Sequence, residues 1–237
     1  MSAPVAISLE SGALIPEEIV RLIQPLNEEL MNNRYVDSFA RLPKFQRVLA
    51  RMTDYLEKHR IICVHYTRAV PEDILAAGLI CATGAQRRTW FMEKYGNLFC
   101  DPEREAIKTA WRQYFKQAQN AARDNKVFFN LSTTALRNGG AGPLLENFGG
   151  EAINMPLLDL PRIKQKLNSL GSPLIVKCAL KPSRLLGCWE YPAAVVWLSA
   201  YQTKVNPKAA LYDVDVYTTS SVLPEDIITI DNATRWD

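Results

Sequence analysis

Apolar positions along the chain first predict a set of helices. Between residues 39 and 56 they recur every three or four positions, which indicates one amphipathic helix. An earlier helix is predicted over residues 16–31, opened by a proline and two glutamates, and Pro25 should break or kink it. The longest stripe predicts a helix over residues 101–122. These segments must bury their apolar faces against other elements.

Short apolar runs predict strands after residue 60. They lie at residues 61–66, 127–131, 151–155, 174–180, 195–200, 212–217 and 227–230. Further helices are expected at residues 71–79, where Gly78 can form the cap, and at 162–170. Because strands and helices do not alternate regularly, α+β is favoured over a doubly wound sheet. The scarcity of strand signals before residue 61 divides the chain into a helical N-terminal subdomain, 1–58, and a main domain, 59–237.

Composition places the chain among globular proteins. Of its 237 residues, 48% are hydrophobic and 22% charged, close to the globular average. The strongly apolar stretch at residues 191–201 is shorter than the roughly 20 residues that a membrane span needs. Residues 1–13 lack a basic region followed by an apolar core, which predicts no Sec-type export. The expected location is the cytoplasm, or a host cell reached by a secretion route without such a signal.

Cysteine and charge content narrow the classes further. Five cysteines without C-x-x-C spacing and only two histidines argue against a disulfide framework and a metal site, so reduced, buried cysteines are expected. The net charge of +3 does not by itself imply nucleic acid, although it does not exclude it. The short basic run at residues 86–88 is interpreted as a solvated loop. Residues 1–14 carry little periodicity and are interpreted as a loose terminus.

The first strand ends in four chemically useful side chains. His65, Tyr66, Thr67 and Arg68 supply an imidazole, a phenol, a hydroxyl and a guanidinium. Alternation along a strand would direct His65 and Thr67 to one face and the other two to the opposite face. Arg68 could hold a phosphate through two hydrogen bonds. The alternatives are a structural histidine and a surface arginine at a strand end.

Two further polar segments follow apolar runs. Ser132, Thr133 and Thr134 place three hydroxyls after the second strand, suited to holding a ligand or to capping the next helix. Glu151 follows two glycines, so its backbone can approach a ligand while the acid is held at the head of a strand. The alternative for Glu151 is a solvated carboxylate beside a turn. The glycine-rich stretch at 138–143 is expected to be an irregular loop.

Other catalytic motifs are missing from the sequence. It contains no G-x-S-x-G elbow, P-loop, G-x-G-x-x-G or H-E-x-x-H motif. A Cys-His hydrolase would have to use one of two histidines, and Cys63, two residues before His65, is interpreted as a buried strand residue.

With these residues in view, the layout resembles the ADP-ribosyltransferase fold, in particular its bacterial toxin-like and effector-like members. In that family a first strand carries a histidine or arginine, often in a His-Tyr-Thr setting, before a helix that ends in Gly-Leu. Here Val64 to Arg68 precedes Gly78-Leu79. A second strand ends in hydroxyls, matched by residues 128–134, and a later glutamate is matched by Glu151.

The resemblance implies a split β-sheet core that binds NAD as co-substrate and transfers ADP-ribose to a macromolecule, most plausibly a protein. His65 or Arg68 would hold the ribose or phosphates, Tyr66 would stack on the nicotinamide, and Thr67 would belong to the same cofactor-binding segment. Ser132 and Thr133 would support the nicotinamide ribose. Glu151 and His65 would be the catalytic residues, and Glu151 would stabilise the positive charge that develops on the sugar and help to deprotonate the acceptor.

Several alternatives stay open at this point. Either His65 or Arg68 could be the first-motif residue, and Glu190 competes with Glu151 as the acid. A catalytically silent binding module of the same fold is a second hypothesis. A nuclease-like toxin built on His65, Arg68 and Lys126 is a third.

Overall fold

The computed structural model describes residues 6–233 and has a mixed α+β fold, which confirms the predicted class. Its six strands form one antiparallel sheet, in the order β4-β5-β2-β1-β3-β6. The strands are β1 (Ile61–Ala69), β2 (Val127–Asn130), β3 (Ser172–Leu180), β4 (Leu186–Gly187), β5 (Asp215–Thr218) and β6 (Ile227–Asn232). Val64 pairs with Asn130 between β1 and β2.

Twelve α-helices are found among residues 6–233. They are α1 (Glu17–Ile23), α2 (Asn27–Asn32), α3 (Pro43–Leu56), α4 (Pro71–Ala77), α5 (Gly84–Tyr95), α6 (Asp101–Tyr114), α7 (Gln117–Arg123), α8 (Thr134–Arg137), α9 (Gly142–Glu146), α10 (Glu151–Asn154), α11 (Pro161–Asn168) and α12 (Pro192–Val205). Single 3₁₀ turns occur at Gln24–Leu26, Val36–Ser38, Gly96–Leu98, Met155–Leu157, Pro182–Arg184 and Pro224–Asp226.

The chain divides into two compact units. The first unit comprises the described residues up to Val64, Phe128–Asn138 and Lys177–Tyr217. The second unit comprises His65–Val127, Gly139–Val176 and the described residues from Thr218 onward. The predicted N-terminal helical segment, 1–58, falls within the first unit together with these later segments.

The core of the first unit is built around α12. This helix is buried from Ala193 to Gln202 and packs against α3 and α2. Trp197 is fully buried, and its ring lies 5.9 Å from that of Tyr55. The Gln202 amide donates to the carbonyls of Leu30 and Asn33, which are among the carbonyls left unpaired by the end of α2. The side chains of α12 therefore both pack the unit and pair with carbonyls at the end of α2.

The core of the second unit is an aromatic cluster. Phe91 and Trp111 meet edge to face at 5.9 Å, and Phe148 packs beside them. The Trp111 indole donates to the carbonyl of Ile153 at 2.9 Å. Because Phe148 and Ile153 flank the glycine pair, this cluster fixes the backbone on both sides of Gly149-Gly150.

Several predicted elements are confirmed in outline. The helix over 16–31 is interrupted at Pro25 by a 3₁₀ turn, as expected, and Gly78 ends α4 with a φ of 73°. The predicted helix over 101–122 is two helices, because Phe115 leaves helical geometry with a ψ of 86°. In the segment predicted to be irregular, residues 138–141 form bends and turns, whereas Gly142 and Pro143 begin α9.

Other predictions are wrong. Residues 195–200 lie in α12, and residues 86–88 lie in α5, whose Thr83 forms a capping box with Gln86. The first five residues of the predicted loose terminus lie outside the described residues. From residue 6 the terminus is ordered: Ile7 pairs with Ile61, and Leu9 is buried.

Candidate functional site

The end of β1 presents two of its four predicted site residues at partly exposed positions. His65 and Arg68 are half-buried, whereas Tyr66 is 4% exposed and Thr67 is 9% exposed. Burial does not alternate strictly along β1, because side chains on both faces of the strand are buried. The cofactor-binding roles of Tyr66 and Thr67 stay predictions, now for residues that also pack the interior.

Arg68 combines a structural bond with spare donors. Its Nε atom donates to the Leu170 carbonyl at 2.9 Å. Burial lowers the pKa of Arg68, but a guanidinium stays charged in proteins. It carries five N–H groups, so one bond to a carbonyl leaves enough donors for a phosphate or a carboxylate.

The glycine pair lies directly beside the end of β1. Phe148 forms a parallel bridge with Arg68, and the Gly149 amide donates to the Arg68 carbonyl at 3.1 Å. Gly149 and Gly150 both have positive φ, 82° and 69°, which other residues rarely adopt. A Cβ on Gly149 would also lie 2.9 Å from a side-chain carbon of Ile153. Two glycines are needed here so that the chain can approach β1 and then turn away.

Glu151 begins helix α10 and does not head a strand, so the predicted strand over 151–155 is wrong. Its side chain is 46% exposed, and Oε2 accepts a hydrogen bond from Arg123 Nε at 2.8 Å. Arg123 is 21% exposed and is held in turn by the Gln119 side chain at 2.5 Å. The acid is thus paired with a positioned guanidinium and open to solvent on one side.

A second arginine lies near α10. The Arg88 guanidinium stacks over the Phe115 ring, 4.4 Å from its centroid, and Nη1 lies 3.5 Å from the Ala152 carbonyl. The nearby Asp124 carboxylate accepts from the amide of Gly84, which begins α5. Sequence reasoning missed Arg88 and Arg123, although the Thr83-x-x-Gln86 spacing is a helix-start signal that could have placed Arg88 on a helix.

In the first unit, Ser132 is bound by a carboxylate that the sequence did not single out. Asp213 Oδ2 accepts from the Ser132 hydroxyl at 2.7 Å and from its amide at 3.0 Å. Oδ1 accepts from the amides of Leu131 and Val214 at 3.0 and 2.8 Å. Burial raises the pKa of Asp213, opposed by these four hydrogen bonds. The only advance signal was a carboxylate inside the apolar run predicted as a strand over 212–217.

The hydroxyl triplet has a structural function in this arrangement. The Ser132 hydroxyl accepts from the amide of Thr134, the first residue of α8, at 3.2 Å, although the cap position itself, Thr133, makes no side-chain cap bond. The Thr133 amide donates to Glu10 Oε1 at 2.6 Å, and its side chain is half-buried. Whether Ser132 and Thr133 also contact a ribose stays a prediction.

The structure brings some of the predicted residues together and separates the rest by unit. His65, Tyr66, Thr67, Arg68 and Glu151 all belong to the second unit, where the glycine pair joins β1 directly. Ser132, Thr133 and the rival acid Glu190 belong to the first unit. Glu190 is exposed and bonds to the neighbouring Tyr191, whose pKa it raises.

Within residues 6–233, no group of three or more His, Cys, Asp or Glu side chains could hold a metal ion. No helix of the described chain is long and apolar enough to cross a membrane. Comparison with protein-family models, with curated proteins and with solved structures gives no match. The structure itself gives the fold class, α+β.

Proposed function

We propose that the protein is a mono-ADP-ribosyltransferase, toxin-like or effector-like, that uses NAD to modify a protein. The observation that carries this proposal is the backbone contact between Gly149 and Arg68. It joins two segments 81 residues apart, and Glu151 follows Gly149 by two residues in the chain. The resemblance of the sequence requires that juxtaposition of a cationic first strand and a carboxylate.

The proposed reaction breaks the bond between C1′ of the nicotinamide ribose and the nicotinamide nitrogen. Nicotinamide leaves with the electron pair, the acceptor attacks C1′, and the acceptor's proton passes to a base. Glu151 stabilises the developing sugar cation and helps to deprotonate the acceptor. His65 or Arg68 holds the phosphates or ribose, and Tyr66 stacks on the nicotinamide.

The ion pair with Arg123 affects how Glu151 can take part in this reaction. In the structure Arg123 binds one oxygen of Glu151, at 2.8 Å. The other carboxylate oxygen can face the sugar while Arg123 fixes the side chain, an arrangement that pre-orients an exposed acid. The rate then depends on the negative charge of Glu151 and not only on its shape.

The first prediction tests that charge. Glu151→Gln should lower transfer from labelled NAD to protein in a cell extract by ~100-fold, because one pre-organised charge in the transition state is lost. Transfer is measured as incorporated label and as the mass shift of one ADP-ribose unit on the acceptor. Glu105→Gln is the matched control, since Glu105 is also exposed and pairs at 2.8 Å with a neighbouring lysine, Lys108.

The other outcomes identify the competing hypotheses. Transfer that persists in Glu151→Gln contradicts the catalytic assignment, and loss in Glu190→Gln instead would move it to that residue. NAD binding without turnover would indicate the silent binding module. RNA cleavage that survives Glu151→Ala but is lost in His65→Ala would indicate the nuclease. Lys126, the third residue of that hypothesis, donates to the carbonyls of Ala121 and Ala122 in α7.

A further inference from the structure

Helix α7 turns polar side chains toward the body of the second unit. Its half-buried residues are Gln119, Asn120 and Arg123, and its exposed residues are Gln117, Ala118, Ala121 and Ala122. A surface helix normally buries an apolar stripe and exposes its polar residues, so α7 has the reverse arrangement. No residue of α7 is buried in the core, so packing does not explain why this face is turned inward.

The end of α7 is fixed by hydrogen bonds to the segment that begins α5. Asp124, which follows α7 directly, accepts from the Gly84 amide at 2.7 Å. The Asn125 amide donates to the Ala82 carbonyl at 3.2 Å, and Asn125 has a left-handed φ of 54°. Asparagine adopts that conformation more readily than most residues do. The last turn of α7, which contains Arg123, therefore has a defined place in the second unit.

One turn of α7 links Gln119 to the candidate catalytic acid. The side-chain oxygen of Gln119 accepts from Arg123 Nη1 at 2.5 Å, four residues further along the helix. Arg123 Nε in turn donates to Glu151 Oε2 at 2.8 Å. Because a guanidinium group is planar and rigid, bonds at Nη1 and at Nε together fix its plane. Gln119 thus determines the direction from which Arg123 meets the carboxylate.

The ion pair between Arg123 and Glu151 matters more for geometry than for stability. Because the Glu151 side chain is partly exposed, its ion pair contributes little to the free energy of folding. A reacting carboxylate must nevertheless keep one geometry, since a displacement of about 1 Å can lower a rate ~100-fold. The bond that holds Arg123 in place should therefore affect the rate of the reaction more than the stability of the fold.

We infer that Gln119 is a positioning residue of the transferase: it holds Arg123, and Arg123 keeps Glu151 in its catalytic orientation. This inference rests on the proposed function, because Glu151 is the acid of that reaction. It adds a residue that acts through another side chain and makes no contact with NAD or the acceptor. The inward polarity of α7 at positions 119 and 123 is then explained as the support of the acid.

The first experiment compares two glutamine variants of the same helix. Gln119→Met removes the oxygen that holds Arg123 and keeps the length and helix propensity of the side chain. The kcat of transfer from labelled NAD should fall about tenfold with KM for NAD unchanged, because orientation is lost and binding is not. Gln117→Met, on the exposed side of α7, should leave both constants unchanged. Equal constants for wild type and Gln119→Met would overturn the inference.

Two further comparisons show whether Gln119 acts through Arg123. Gln119→Glu keeps an oxygen acceptor on a side chain of the same length, so kcat should stay within about threefold of wild type. Arg123→Met should lower kcat, and adding Gln119→Met to that variant should cost nothing further, because the bond is already absent. Losses that multiply in the double variant would show that Gln119 acts by another route, and would overturn the inference.

Carbodiimide labelling of carboxylates tests the same contact without NAD. Gln119→Met should raise the labelling rate of Glu151 several-fold, because the carboxylate is more often free of Arg123. Glu105, paired with Lys108, is the internal reference and should keep its rate. An unchanged rate at Glu151 would overturn the inference whatever the activity of the protein. Wild-type protein without transfer would refute the proposed function and with it the catalytic role of Gln119, whereas normal transfer by Gln119→Met would overturn this inference alone.

Discussion

Asp213 shows how one carboxylate can fix the end of a strand. It accepts four hydrogen bonds around Ser132 and Leu131, yet its pKa is raised because burial penalises the charged form more than these bonds favour it. The folded chain therefore holds the Asp213 proton to a higher pH than the unfolded chain does. The stability that this group contributes is complete below the ordinary aspartate pKa of about 3.9, and is lost as the pH rises through the folded value.

The second prediction follows from this linkage. Asp213→Asn should lower the free energy of unfolding by about 1–3 kcal/mol, since the amide replaces an acceptor that serves two donors of Ser132. The difference between wild type and variant should shrink as the pH rises from about 4, because only the wild type titrates at this site. Urea unfolding at a series of pH values measures both quantities.

Asp215 provides the matched comparison. Its carboxylate is exposed and accepts from the Asn130 side chain at 3.0 Å. Asp215→Asn should cost less than about 1 kcal/mol, as surface substitutions usually do. A difference for Asp213 that stays constant or grows with pH would contradict the raised pKa.

At the scale of elements, those with a clear period were predictable. Helix α3 buries Phe45, Leu49, Met52 and Leu56, a stripe at helical spacing that the sequence displays openly. Strands β3 and β6 were also found near their true positions. In α3 and β3 one face is buried, so the local pattern and the tertiary environment agree, whereas no residue of β6 is buried.

The elements that were mispredicted lack such a period. Helix α12 is buried all round from Ala193 to Gln202, so its apolar run carries no alternation between faces and was taken for a strand. Helix α10 was mispredicted for another reason. Its start depends on the positive φ of Gly150 and on the bond from Trp111 to the Ile153 carbonyl, which are tertiary features.

The third prediction concerns the glycine pair before α10. Gly150→Ala should destabilise the fold by about 1–2 kcal/mol, the cost of a left-handed backbone for a residue with a Cβ. Gly149→Ala should cost more, because its Cβ would also crowd Ile153 at 2.9 Å. Thermal and urea unfolding measure the order of the two.

Gly142→Ala is the control for both glycine variants. A Cβ there meets nothing within 4 Å, and Gly142 is not among the positive-φ glycines, so the change should be neutral or stabilising by up to about 1 kcal/mol. Equal losses at Gly149 and Gly150 would show that Ile153 moves aside without cost. Transfer activity should fall in both variants if the turn positions Glu151.

At the scale of the whole molecule, local sequence patterns predict only some residues of the candidate site. His65, Arg68 and Glu151 were identified because unusual polar groups follow apolar runs. Their proximity was suggested by the family resemblance, since a bridge between Arg68 and Phe148 spans 80 residues and leaves no local trace. Arg123, which binds Glu151, was not predicted, because nothing in the sequence distinguishes an arginine at the end of a polar helix from other surface arginines.

The five cysteines lie in both units and differ in their burial. All five are free thiols; Cys63 and Cys178 are buried in the first unit, while Cys100 and Cys188 are exposed, so the expectation that all are buried is wrong. Burial, and then the nearby Cys178, raises the pKa of Cys63 well above its ordinary value. Because the thiolate is the reactive form, a raised pKa lowers the reactivity of Cys63, and burial lowers it further by keeping reagents away.

The last prediction is a pattern of thiol labelling under native conditions. Cys100 and Cys188 should react with a disulfide reagent first, and Cys63 and Cys178 about a thousandfold or more slowly, because they react only through opened states. Peptide mapping after timed labelling assigns each rate, and denaturant should equalise all five. Rapid native labelling of Cys63 would contradict the buried environment of β1, and with it the placement of His65 two residues further along the same strand.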